Sequence, residues 1–348
     1  MSEAEILFAA QGAVGLVTLN RPKALNALTR DMVLALAAQL SAWEHDPAIK
    51  VVVVRAAGEK AFCAGGDIRR LHDSGKARDG YAEGFYGDEY RMNAQIKHYP
   101  KPYVAMIDGI VMGGGVGISV HGTYRVVTEK TLYAMPETGI GLFPDVGGTY
   151  FLSRSPGEIG MYLGLTGARL KAADTIHAGV GTHYIPSAQL DDLVASLAQV
   201  SDATMVGDVL ATFATDPGPA PIVANRAGID RHFAAASVEA VVASLEADAS
   251  DWAQEQARTI RTKSPISLKV TFRQIREGAS LDFNACMRLE FRLTRRFIAG
   301  HDFYEGVRAV IVDKDNAPKW SPDTLEAISA AAVDAYFAPL AEGDLALG

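Results

Sequence analysis

Three segments carry the residue types and spacings that can do chemistry: Cys63-Ala-Gly-Gly-Asp67, Met112-Gly-Gly-Gly-Val-Gly117 and Met135-Pro-Glu-Thr-Gly-Ile-Gly-Leu-Phe-Pro-Asp-Val-Gly-Gly148. The first two offer bare backbone, and the third offers the carboxylates Glu137 and Asp145. Glycine turns at two strand ends can aim peptide N–H groups at one point, and a carboxylate brought there would face whatever oxygen they hold. Such a pattern suits acyl chemistry. Each segment also has a purely structural reading. Gly65 and Gly66 make a tight turn, with Asp67 placed to cap a helix from Ile68. Gly113 to Gly117 let a strand pack closely on the helix that follows. Asp145 reads equally as the cap of a helix starting near Gly147. Glu137 follows Pro136 after the apolar Leu132-Tyr-Ala-Met135. That puts it where a strand ends and a loop opens, the place where α/β folds hold ligands.

Other chemistries fail on spacing. The third glycine of a dinucleotide fingerprint falls on Ile118, and Gly58-Glu-Lys60 lacks the spacing of a phosphate loop. Cys63, between Phe62 and Ala64, reads as a small buried hydrophobe. His121 has no Ser-His-Asp spacing around it. The only other cysteine is Cys286, so neither a disulfide framework nor a metal site is expected. A net charge of -8 excludes the electrostatic footprint of nucleic acid or an anionic membrane. The longest apolar region, residues 103–120, carries Asp108 and a run of glycines and does not read as a membrane span. The first six residues, Met-Ser-Glu-Ala-Glu-Ile, show no basic stretch leading into an apolar one. These features predict a soluble cytoplasmic protein.

The elements that must position the three segments are strands followed by helices. A length of 348 residues, against a prior of roughly 150 per domain, predicts two domains. We place an α/β domain with the active site at 1–200 and a mainly helical region at 201–348. Short β-branched runs at 15–19, 51–54, 103–107 and 124–128 read as buried strands. Between the first two, Met32, Val33, Leu36, Leu40 and Trp43 recur at helical spacing, with Thr29 as cap and Pro47 beyond the end. Helices are expected at 158–165, 190–200, 238–247, 268–277, 283–299 and around Ala330, with a loop at 216–221.

Together these segments resemble the enoyl-CoA hydratase/isomerase, or crotonase, superfamily. Within it, residues 109–122, residues 134–148 and the stretches Asp302-Phe-Tyr-Glu-Gly-Val-Arg308, Asp313-Lys-Asp315 and Pro318-Lys-Trp320 look like the 3-hydroxyisobutyryl-CoA hydrolase branch. The resemblance covers most of the chain. It implies an α/β fold, a spiral of ββα units followed by a helical C-terminal region, and an acyl-CoA thioester as substrate with no separate cofactor. It also implies an oxyanion hole from the N–H groups of Gly66 and Gly114. Lys23, Ala24, Ala64, Gly65, Asp67 and Gly113 would lie along the substrate and coenzyme A, with Lys23 reading equally as an ordinary solvated lysine. Family members often assemble in threes or multiples, so a homo-oligomer is one expectation.

Family hydratases usually carry two glutamates, one three residues after the second oxyanion glycine and one in the Pro-Glu segment. Here the first position is Gly117, while Glu137 stands at the second. That departure favours thioester hydrolysis, linked by the resemblance to valine breakdown. Glu137 would activate water or attack the thioester itself, and Asp145 would orient the substrate or assist proton transfer. An enoyl-CoA hydratase or isomerase using the same oxyanion hole is the alternative, and a non-catalytic acyl-CoA-binding protein is a third reading. Tyr81, Phe85, Tyr86 and Tyr90 are candidates to line the acyl site.

Overall fold

The computed structural model describes residues 4–347; the first three residues, part of the N-terminal reading above, lie outside it. Its contacts divide it into two compact units that interleave along the chain. Unit 1 comprises Met1–Asp67, Arg91–Tyr133 and Leu170–Ala220, and unit 2 comprises Ile68–Tyr90, Ala134–Arg169 and Pro221–Gly348.

Unit 1 is built on strands β1 (Ile6–Gln11), β2 (Val14–Leu19), β3 (Val51–Ala56), β4 (Ala61–Cys63), β5 (Tyr103–Ile107), β6 (Ile110–Met112), β7 (Tyr124–Val127), β8 (Leu132–Ala134) and β9 (His183–Tyr184). One sheet has the order β1-β2-β3-β5-β7-β9, and a smaller one the order β4-β6-β8. From β3 onward successive strands thus alternate between the sheets, which is what a chain of ββα units produces. β1 and β2 pair antiparallel, whereas β2, β3, β5, β7 and β9 run parallel. Parallel neighbours require a crossover, and the helix Arg30–His45 supplies the one between β2 and β3. As expected, Thr29 caps it, its Oγ1 accepting from the Met32 N–H at 3.3 Å.

Val51, Val53, Val104, Met106 and Val126 sit at alternate positions of their strands and form the core with Leu193, Leu197, Val206 and Leu210. Burying such side chains contributes roughly 1.5–3 kcal/mol each.

Unit 2 is dominated by helices, among them Ile159–Thr166, Val238–Glu246, Asp251–Arg261, Pro265–Gly278, Phe283–Phe297 and Ala330–Phe337. Their starts are chemically marked. Ser237, Ser250, Ser264, Asp282 and Ser329 each accept a backbone N–H, and Pro265 occupies a first-turn position where its missing donor costs nothing. Gly164 allows Ile159–Thr166 to approach Pro265–Gly278: a Cβ there would stand 2.7 Å from Ile275 Cδ1. Aromatic pairs Tyr162–Phe233 and Phe143–Phe297, with centroids 5.4 and 5.3 Å apart, fill the remaining space. No helix among the described residues is long and apolar enough to cross a membrane.

Candidate active site

The two glycine turns of unit 1 lie against each other. β4 runs into Ala64-Gly65-Gly66-Asp67, where Leu28 makes a parallel bridge to Gly66. The Leu28 N–H donates to the Gly65 carbonyl at 2.8 Å, and the Asp67 N–H donates to the Leu28 carbonyl at 2.9 Å. In a parallel ladder the residue between such bonds turns its own N–H the other way, so the Gly66 N–H faces away from Leu28. β6 runs into Gly113, whose φ of 48° and ψ of -124° suit only glycine. Gly114 then opens the short helix Gly114–Gly117, whose first N–H groups have no acceptor within the helix. A Cβ placed on Gly65 would stand 3.8 Å from the Gly114 nitrogen.

Gly115 holds this arrangement tight, since a Cβ there would overlap the Cys63 carbonyl oxygen. Gly115→Ala is therefore expected to destabilise the protein by more than about 3 kcal/mol, because backbone rather than a movable side chain is in the way. Urea unfolding checks this, and a wild-type midpoint would contradict the packing.

The proposed coenzyme A residues cluster beside the first turn. Lys23 and Ala24 are exposed on the short 3-10 turn Pro22–Ala24. Leu25 and Asn26 follow with φ of 52° and 55°. The Asn26 amide donates to the carbonyls of Ala57 and Ala61 at 2.9 Å, and the Ala64 N–H donates to the Leu25 carbonyl at 3.0 Å. The loop is thus pinned beside Ala64. Arg21 binds Glu5 at 2.9 Å and Asp67 at 3.1 Å, an ion-pair arrangement that the sequence reading did not anticipate.

The carboxylates belong to unit 2. Glu137 opens the 3-10 turn Glu137–Ile140, which ends at Gly141 with φ of 69°. The Leu142 N–H closes the loop on the Glu137 carbonyl at 3.0 Å. The Glu137 side chain is 5% exposed, and its Oε2 has no hydrogen-bond partner among the described residues. Asp145 is equally buried, and its Oδ2 accepts from Tyr90 Oη at 2.7 Å. Tyr90 Oη in turn lies 2.6 Å from Thr294 Oγ1.

The capping alternative for Asp145 fails. The helix that follows is Gly148–Leu152, capped by Gly147, and the N–H groups of Gly147 and Thr149 donate to Glu290 at 2.7 and 2.8 Å. Glu290 does the capping from far along the chain. The Asp145 carboxylate is left for Tyr90.

Burial sets the electrostatics of this group. It lifts the Glu137 carboxyl well above the ordinary carboxylate range, and the neighbouring Asp145 charge lifts it further. Asp145 is pushed up to about 6 by burial, against the lowering effect of the Tyr90 hydrogen bond. Glu290 is pushed up to about 8, mainly by burial and against the N–H of Gly147. Glu89, on the helix Tyr81–Lys97, is raised well above its usual range by burial and by Asp145. Carboxyls raised on folding favour the native state below their unfolded pKa and lose that contribution as pH rises through the folded values. The cluster therefore costs stability at neutral pH, as groups tuned for chemistry do. Among the described residues no group of side chains is arranged to hold a metal ion.

Glu89 and Glu290 were not legible as site residues. One signal was available for Glu290: it interrupts the face of Phe283–Phe297 that buries Cys286, Met287, Leu289, Leu293 and Phe297.

The family model for enoyl-CoA hydratase/isomerase matches residues 14–337. The 3-hydroxyisobutyryl-CoA hydrolase, mitochondrial, of Danio rerio is 49% identical, over 99% of this chain and 92% of the relative. The Homo sapiens protein of the same name is 44% identical over 98% and 90%. Two solved structures superpose closely. A carnitinyl-CoA dehydratase from Mycobacterium thermoresistibile has a TM-score of 0.93 at 44% identity, covering 98% of both chains. An enoyl-CoA hydratase from Rhodobacter sphaeroides 2.4.1 has 0.92 at 40% identity, covering 99% of this chain and 100% of its own. The fold is thus the expected crotonase-like spiral with a helical C-terminal region. The relatives' names correct the cytoplasmic expectation, since they are called mitochondrial. That expectation rested on features missing from the first residues, and an absence there does not specify a compartment. The extent of the match and the identity of these relatives lead to one conclusion: the chain belongs to the enoyl-CoA hydratase/isomerase family.

Proposed function

We propose that this enzyme hydrolyses the thioester of 3-hydroxyisobutyryl-CoA, or of a close short 3-hydroxyacyl-CoA, to the free acid and coenzyme A. The observation that carries the reading is an asymmetry of carboxylates. The helix Gly114–Gly117 is all Gly except Val116 and fully buried, so no acid stands at 117, while Glu137 and Asp145 are buried and electrostatically linked. Syn hydration of a double bond would call for paired carboxylates at 117 and 137. Hydrolysis needs only one nucleophile or base and a way to carry the oxyanion.

In this reading the N–H groups of Gly66 and Gly114 donate hydrogen bonds to the developing oxyanion, each contributing roughly 3 kcal/mol to the transition state. Glu137 takes a proton from the attacking water, or attacks the carbonyl carbon itself to give an anhydride that water then opens. The C–S bond breaks, and the departing thiolate becomes a thiol with the proton given up by the attacking water and relayed by the carboxyls. Asp145, fixed by Tyr90, is the second carboxyl that separates the acid and base roles. Lys23, Ala24, Ala64, Gly65, Asp67 and Gly113 would hold the coenzyme A and acyl chain, and no cofactor beyond the substrate's own coenzyme A is required. The substrate gives the reaction a place in valine breakdown, and assembly as a homo-oligomer accompanies this reading. The 44–49% identity of relatives named as 3-hydroxyisobutyryl-CoA hydrolases supports it.

A hydratase or dehydratase reading has its own support in the two superposed proteins, one a carnitinyl-CoA dehydratase and the other an enoyl-CoA hydratase. A panel of short acyl-CoA thioesters, followed with a thiol-reactive dye, separates the two. Thiol release fastest with the 3-hydroxyacyl thioesters is expected. Conversion of an enoyl thioester without free thiol would favour the second reading, and binding of the whole panel without turnover would favour a non-catalytic protein.

A further inference from the structure

Asp145 is supported through its backbone as well as its side chain. Before it, Gln274 Nε2 donates to the Pro144 carbonyl at 2.5 Å. After it, Glu290 accepts from the N–H groups of Gly147 and Thr149, one on each carboxyl oxygen. Both gripping side chains are fully buried, and they come from two different helices, Pro265–Gly278 and Phe283–Phe297. Thr294 stands one turn beyond Glu290, and its Oγ1 lies 2.6 Å from the Tyr90 oxygen whose proton goes to Asp145. One helix face thus supports the carboxylate and its backbone together.

Capping alone does not account for this arrangement. The helix that Glu290 caps has five residues, and a local Ser, Thr or Asn would serve it without taking a carboxyl out of water. The residue between the two grips does account for it. Val146 is buried with φ of 50°, in the left-handed region where a β-branched residue is strained. Backbone strain of this kind persists only where surrounding contacts over-determine it. Gln274 and Glu290 supply those contacts on either side, and the strained residue is the one next to Asp145.

We propose that Glu290 and Gln274 are positioning residues for the reaction, a clamp on both flanks of the Asp145 turn that fixes where its carboxylate points. The proposal rests on the hydrolase reading for the role of Asp145 and deepens it. Each residue acts through Asp145, because a displacement of about 1 Å at a reacting group can cost about 100-fold in rate.

The test is a double-substitution cycle in kcat and KM for thiol release from 3-hydroxyisobutyryl-CoA. It uses Glu290→Gln, Gln274→Met and Asp145→Asn singly, and each of the first two combined with Asp145→Asn. Glu290→Gln keeps the shape of the side chain but turns an NH2 group toward one of the two N–H donors, and Gln274→Met fills the same space without a donor for Pro144. Each is expected to lower kcat by about 10- to 100-fold with KM nearly unchanged. In the Asp145→Asn background the same substitutions should cost almost nothing further, because residues that act as a unit are not additive. Losses that multiply in the double variants, a loss that falls on KM instead, or a lower melting temperature with kcat retained would overturn the assignment. If Glu290→Gln does not fold, Gln274→Met decides from the other flank. A wild type that releases no thiol would sink the hydrolase reading alone, because the same cycle is then read on hydration of the enoyl thioester. A wild type inert on both thioesters would overturn both.

Discussion

Glu137→Gln is expected to lower kcat for thiol release by about 1,000-fold or more, with coenzyme A affinity unchanged. The substitution keeps the shape of the side chain and removes both its charge and its basicity. Glutamine can neither deprotonate water nor form an anhydride with the acyl group, so either role of Glu137 is lost. Folding should not suffer. The carboxyl is buried and its Oε2 unpaired, so the native protein already bears the desolvation of this group. An unchanged or slightly raised melting temperature alongside lost turnover is the expected combination. Wild-type thiol release by this variant would remove Glu137 from the chemistry.

The second large effect concerns Asp145 and pH. Asp145→Asn is expected to reduce kcat by about 100-fold and to move the acid limb of the remaining activity to lower pH. The sign follows from the geometry. Ionised Asp145 opposes ionisation of Glu137, and its negative charge is one cause of the raised Glu137 pKa. A neutral amide removes that opposition, so Glu137 ionises at lower pH. In the wild type the carboxyls titrate as a group, with Asp145 near 6, so activity should rise with pH through that region and above it. A kcat profile between pH 4 and 9 for both proteins checks the shift. A limb that stays in place or moves upward would show that the two carboxyls are not linked.

Much of the fold was legible because particular residues announce their surroundings. β2, β3 and β5 are buried on both faces over most of their length, so they appear as apolar runs such as Val51-Val-Val-Val54, whereas β7 buries only Val126 and Val127. The strands β4, β6 and β8 have three residues each, too few for any period to show. Helices such as Val206–Phe213 and Asp302–Val307 escaped for a related reason: short segments are fixed by packing more than by their own pattern.

At the site the same division holds. Glycine does its work through its backbone, so Gly113 and Gly115 declare themselves by residue type, and the structure supplies the positive φ at one and the close approach at the other. The catalytic candidates Glu137 and Asp145 were found because polar residues interrupt a glycine- and proline-rich stretch at a strand end. Glu290 was missed because its partners, the N–H groups of Gly147 and Thr149, lie more than 140 residues earlier. Glu89 was missed because the sequence reading gave no helix over 81–97, and only the folded helix and its burial place this glutamate beside Asp145. Asp145 was ambiguous for the same cause: its freedom from capping depends on Glu290.

The central claim is that the thioester is hydrolysed, its acyl group leaving as an acid whose new carboxyl oxygen derives from water. It is tested most directly by turning over 3-hydroxyisobutyryl-CoA in water enriched in heavy oxygen and locating the label by mass spectrometry. Hydrolysis predicts free coenzyme A in equal amount to a released acid that carries the label in its carboxyl group and none in its 3-hydroxyl. Label appearing in the 3-hydroxyl of an intact thioester, with no free thiol, would mean reversible hydration and would contradict the account.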